Sequence, residues 1–232
     1  KETDRFFICG FLEVPDTSAF HFKLRRIRDQ IKGLALRDRQ RKIVGLKEVE
    51  DIDQLFQFAY RPSSFELKFG KVTKKNLGYY QDLIKVLAHK TDFRFAAIWI
   101  DRKDSNYKFE SYLSMYQTII ARYFDGADCN DTIFVPDEFD AGLSWENVVD
   151  SNRIVATIPI ESHSCLAMQC CDVLGGIIGL GLKETESYTN SDLVRLPLLQ
   201  TFEEEFKCKI EKDIVVSYPK SIRIQSALID NE

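Results

Sequence analysis

The chain has 232 residues, 44% hydrophobic and 29% charged, ordinary proportions for a globular protein and enough length for one large domain or two small ones. A formal charge of −4 and a sequence pI near 5.6 argue against a uniformly basic nucleic-acid binder. No apolar stretch reaches the roughly 18 residues that span a bilayer and no signal peptide is evident, so no membrane partner is expected.

Six cysteines show no paired metal spacing, and with three histidines in the chain a zinc site is a poor reading. Reduced thiols in a cytoplasmic protein are the simplest account. The first residue is Lys1, not Met, and an apolar run follows almost at once, so a natural N-terminus is expected to be missing. Charge is unevenly spread: residues 1–75 carry 17 Lys+Arg against 11 Asp+Glu, and the remainder 15 against 25. Residues 23–47 alone hold ten basic and two acidic residues, local enough to attract a polyanion or simply to form a solvated helix face.

In chain order, residues 6–14 read as a buried strand ended by Pro15 and Asp16. Thr17 or Ser18 can cap a helix whose apolar face is Phe20, Leu24, Ile27 and Ile31. Lys23, Arg25, Arg26 and Arg28 take its wet side, and Gly33 is expected to stop it. Val49, Ile52, Leu55, Phe56 and Ala59 predict another short helix. Residues 65–69 (Phe-Glu-Leu-Lys-Phe) alternate apolar and charged, which is a strand period. Asn76 is placed to cap a helix over 77–89. Residues 93–100 form a nearly continuous apolar run, expected to be a central strand covered on both faces and closed by Asp101.

A helix over 107–123, a short strand over 132–135 closed by Pro136 and Asp137, and a strand over 154–160 follow. A helix over 165–182 carries Gln169, Asp172, Gly176 and Gly179 on one narrow stripe, polar at one end and nearly bare at the other. Its glycines suit close packing better than phosphate cradling. A helix over 192–207 and a strand or extended tail over 213–218 close the chain. Strands alternating with helices argue an α/β layered domain, its opening strand antiparallel to its neighbours.

Three acids stand out. Asp101 closes the central strand, where loops diverge and ligands bind; it can equally be a turn residue using its own backbone hydrogen bonds. Glu66 can be a metal ligand or one half of a surface pair with Lys68. Asp172 interrupts an apolar helix, where an ionised carboxylate needs a partner or a cation. There is no P-loop and no Gly-x-Ser-x-Gly elbow, and His163 between Ser162 and Ser164 is expected to mark a helix start, with Ser164 as its cap.

The segment from Glu66 to Phe69, the strand ending in Asp101, and Met168-Gln169-Cys170-Cys171-Asp172-Val173 with Gly175-Gly176 behind it resemble the bacterial family known as domain of unknown function 3800. That family is similar to ribonuclease H in fold. The resemblance runs from Phe6 to about Leu182. It implies a ribonuclease-H-like mixed sheet flanked by helices, forming one domain over residues 1–232. Within it, residues 17–60 make a basic helical insertion and 183–232 a C-terminal helix and tail. It further implies a nuclease, a hydrolase of RNA or DNA phosphodiesters that depends on Mg²⁺ or Mn²⁺. Glu66, Asp101 and Asp172 would be catalytic metal ligands and Asp137 a fourth; Lys68, Gln169, Arg25 and Arg26 would meet substrate. The family opens with a strand bearing Asp-Glu-Ser-Gly, which nothing before Phe6 supplies, so a catalytically weakened relative is also implied. A different class of function is a non-catalytic module that binds a protein or nucleic acid in a bacterial defence or mobile-element complex.

Overall fold

The computed structural model describes residues 5–45, 66–104, 107–109, 111–125, 132–138, 145, 154–211, 214–216 and 221–227. Helix predictions over residues 46–60, with Phe65, fall outside them. The architecture is mixed α/β. Strand β1 (Phe6–Glu13), helix α1 (Thr17–Gly45), helix α2 (Leu77–Lys90) and strand β2 (Arg94–Asp101) come first. Helix α3 (Tyr112–Asp125) and strands β3 (Thr132–Phe134) and β4 (Ile154–Thr157) follow. Helices α4 (Leu166–Gly181) and α5 (Asn190–Phe206) and strands β5 (Ile214–Val216) and β6 (Ser221–Ser226) complete the order.

One sheet runs β1-β2-β6-β5, with β2 antiparallel to β1 and parallel to β6; the other is the parallel pair β3-β4. The continuous apolar run predicted a strand buried on both sides, and β2 is one. Phe95, Ala97 and Trp99 enter a core shared with α1, α2, α4 and α5, while Ala96, Ile98 and Ile100 enter a second core with α3. The opening strand is antiparallel to β2, as expected.

Several expectations need correction. Helix α1 does not stop at Gly33, where the backbone continues helical to Gly45. Its cap is Asp16, whose Oδ1 accepts the Ala19 amide at 2.9 Å, rather than Thr17 or Ser18. Its predicted stripe holds: Phe20, Leu24, Ile27 and Ile31 are all buried. Asn76 precedes α2 but its Oδ1 accepts the Thr73 amide behind it and caps no helical N–H. Helix α3 begins at Tyr112, five residues later than its pattern indicated, and β6 was not anticipated at all. Residues 162–164 form a single 3-10 turn before α4, so Ser164 is not its cap.

The alternating segment is not a strand. From Glu66 to Lys68 it is extended, and Phe69–Lys71 is a 3-10 turn. The reason is that its amides are taken by side chains of α4: Leu67 N–H donates to Gln169 Oε1 and Phe69 N–H to Asp172 Oδ2, both at 2.9 Å. Alternate amides of an extended chain thus meet two helix residues three apart, leaving no ladder for another strand to join.

No described helix is long and apolar enough to cross a membrane.

Candidate functional site

The first turns of α4 organise the site. Gln169 is buried, and both ends of its amide are used: Oε1 holds Leu67, while Nε2 donates to the carbonyls of Ser162 and His163 at 3.1 and 3.0 Å. Gln169 therefore locks the 66–69 segment and the 162–164 turn together and does not face a substrate. Glu66 is brought within reach of that turn, and the Ser162 hydroxyl donates to Glu66 Oε1 at 2.6 Å. The Ser162 amide donates to Asp137 Oδ1 at 2.9 Å. Asp137 is delivered by the parallel bridge between Asp137 and Ile160 that prolongs the β3-β4 pair. Ser162 thus joins two predicted acids that lie 71 positions apart in the chain.

Lys68 Nζ is 2.9 Å from Glu66 Oε2, and Lys71 Nζ lies 3.7 Å from the same oxygen. The Lys68 ammonium is held above its ordinary range by its bond to Glu66, with the fields of Asp172 and Asp137 adding to it. Burial pushes the Glu66 carboxyl up, but the Ser162 hydroxyl and the lysines outweigh it and leave Glu66 below its usual range. Asp172 goes the other way. Desolvation raises its carboxyl, the Phe69 amide and Lys68 oppose this, and Glu66 and Asp137 add repulsion. Among the described residues Asp172 forms no ion pair. Its side chain is not sealed in the core as its apolar neighbours indicated: it opens onto a groove beside β1 and keeps access to water.

Asp101 does not join this group. It is buried at the other end of β1, gripped by Arg5 Nε at 3.0 and 2.9 Å and by Arg5 Nη2 at 2.7 Å. It also accepts the Lys103 amide at 2.9 Å, as a turn aspartate does. Helix α4 crosses β1 at Gly10, where an added Cβ would come within 2.8 Å of Cys171 Sγ. Asp101 lies opposite Phe6, four residues away, about 13 Å at 3.3 Å per residue. An acid set of Glu66, Asp101 and Asp172 is therefore replaced by Glu66, Asp137 and Asp172.

All donors in that set are hard oxygens, the chemistry Mg²⁺ and Mn²⁺ prefer. The spacing is looser than the chemistry: among the described residues no three His, Cys, Asp or Glu side chains stand close enough to hold one ion. Lys68 is the cation that Glu66 holds in this structure.

Arg25 and Arg26 lie exposed on α1, with Arg25 Nε 3.7 Å from Asp29; no described contact joins either to the acidic group. Phe22, absent from the sequence-based site, is 80% exposed on that same helix face, three and four positions before them. The signal was available, since Phe22 falls off the 20-24-27-31 stripe and so has no core to enter. Arg5, the partner of Asp101, and Ser162, the link between Glu66 and Asp137, carried no local sequence signal.

No protein-family model, curated protein or solved structure matches this chain.

Proposed function

We propose that this protein is a ribonuclease-H-like, divalent-cation-dependent nuclease of the kind to which its sequence shows a resemblance, acting on RNA or DNA in the cytoplasm. One observation carries the reading: carboxylates from three distant segments, Glu66, Asp137 and Asp172, share one neighbourhood, and the accessible one, Asp172, has no cationic side chain paired to it among the described residues. Glu66, Asp137 and Asp172 would hold the cation, which supplies charge for a phosphodiester and a more acidic water. The chain's own residues do the rest. Ser162 and Gln169 fix the carboxylates, Lys68 balances their charge, and Arg25, Arg26 and Phe22 offer phosphate contacts and a stacking face on α1.

The test is thermal melting against Mg²⁺ and Mn²⁺, with cleavage of labelled RNA and DNA in parallel. A site that binds only the folded state raises Tm by mass action. The shift and the cleavage should both disappear in Asp172→Asn. A Tm indifferent to both cations in the parent protein removes the proposal.

The other class, a non-catalytic binding module, is favoured by a specific feature. Two of the predicted ligands already hold basic side chains, Asp101 by Arg5 and Glu66 by Lys68.

A further inference from the structure

Strand β1 is an edge that lacks every feature by which edges are protected. Its sequence, FFICGFLE, has no Pro and no Lys, and its one charge is the terminal Glu13. Its only partner among the described strands is β2. The Arg102 amide donates to the Arg5 carbonyl at 2.9 Å, which fixes the phase of the antiparallel ladder. Because such pairs alternate between bonded and non-bonded, Phe7, Cys9 and Phe11 bond to β2. Phe6, Ile8, Gly10 and Leu12 therefore turn their N–H and C=O groups outward.

They do not turn toward open solvent. They face a groove of about 2210 Å³, lined on one side by all of β1 and on the other by the outer edge of β3 and its continuation to Asp137. Both walls across it are shared. On one face Tyr116 of α3 packs on Phe7 of β1 at 5.1 Å and on Trp145 at 5.8 Å, and Trp145 packs on Phe134 of β3 at 5.6 Å. On the other, α4 meets Gly10 through Cys171, while the turn before it binds Asp137 through Ser162. Two unpaired strand edges are thus held facing each other between two helical layers.

We propose that this slot is a docking site for one extended polypeptide segment supplied by a partner chain, which adds to β1 and joins the two sheets into one. This goes beyond the cation site and does not rest on it. A strand is the occupant that answers the unpaired backbone groups; a small molecule leaves most of a slot eight residues long, about 26 Å, unsatisfied. A second copy is the wrong shape, because its own β1 is already covered on both faces by α3 and α4. The segment alternates bulky apolar side chains toward Tyr116 and Tyr123 with small or polar ones toward Gly175, where a Cβ would meet no atom within 4 Å.

The experiment uses the 232-residue protein and a blocked peptide, Lys-Val-Ser-Val-Ser-Val-Ser-Val-Lys, with amide hydrogen exchange read by NMR. Saturable peptide binding should slow exchange at Phe6, Ile8, Gly10 and Leu12 by about tenfold or more and leave Phe7, Cys9 and Phe11 unchanged. The same peptide N-methylated at alternate amides should not bind. Gly175→Leu, which fills the slot from α4, should weaken binding by about tenfold or more without lowering Tm. Absence of binding up to millimolar peptide, or equal binding of the N-methylated peptide, overturns the proposal. So does protection of those four amides without peptide. Independent of protein concentration, it assigns the slot to a segment of this chain; rising with concentration, it assigns it to a second copy.

Discussion

Arg5 and Asp101 show how a residue chosen for chemistry becomes a structural one. The guanidinium meets both oxygens of a carboxylate that is only 6% exposed, and Glu184 Oε1 takes Arg5 Nη1 at 2.5 Å. Removing Arg5 strands a buried charge. Arg5→Ala should lower unfolding free energy in urea by about 1–3 kcal/mol, the cost of leaving a buried polar group unpaired. An unchanged midpoint, with new affinity for Mn²⁺, would return Asp101 to the set of ligands. Asp172 behaves oppositely. Its carboxyl is held above the ordinary aspartate range in the folded protein, so the fold favours the protonated form. That contribution is complete below the unfolded pKa and is lost as pH rises through the raised one. Asp172→Asn keeps an acceptor for the Phe69 amide but cannot ionise. Urea unfolding across a pH series should find the variant gaining on the parent protein between acid and neutral pH. Glu66 has the reverse sign: its stabilising share is present at neutral pH and fades as acid protonates it.

Elements were most legible where a pattern depends on close neighbours. The α1 stripe, the β2 run and the α4 apolar face all follow from periodicity, and all three bury the residues their spacing indicated. Glycine was harder to interpret, because its role depends on what stands opposite. Gly33 lies mid-helix with no atom within 4 Å of a built Cβ, so it neither ends α1 nor packs. Gly176 is required: its Cβ would fall 2.2 Å from Phe69. Gly33→Ala should therefore raise stability by about 0.5–1 kcal/mol, the helical penalty of glycine. Gly176→Ala should lower it by about 1–3 kcal/mol through overpacking and loosen the segment that presents Glu66. Chemical denaturation of the pair measures both signs, and a loss in Gly33→Ala would mean that α1 uses that glycine for a contact. The stripe of Gln169, Asp172, Gly176 and Gly179 was expected to let another backbone approach closely. It does, with Phe69 against Gly176 and Ile8 within 3.0 Å of a Cβ at Gly179.

For the molecule as a whole, the charge map matters more than its sum. The basic residues of α1 stand on a body that is otherwise acidic, and Phe22 adds an apolar ring among them. Arg25→Ala with Arg26→Ala should weaken binding to single-stranded RNA or DNA. It should also reduce the slope of log affinity against log salt by about 1–2, about one unit for each phosphate no longer neutralised. A slope unchanged by the double substitution places the polyanion elsewhere. The same scale governs the groove, since neither β1 nor β3 announces from its own residues that its outer edge will face the other.

By itself the sequence determined the α/β class, the faces of α1 and α4, the central strand and the gathering of Glu66 with Asp172 near one helix. Each of these rests on residues a few positions apart or on a single stripe, so local sterics and burial suffice to specify it. Only the tertiary structure decided that Asp137 replaces Asp101, that Gln169 clamps backbone, that residues 66–69 forgo a ladder, and that two sheet edges face one slot. Those outcomes depend on which distant groups meet, and hydrogen bonds and ion pairs between positions far apart in the chain leave no periodic trace in the order of residues.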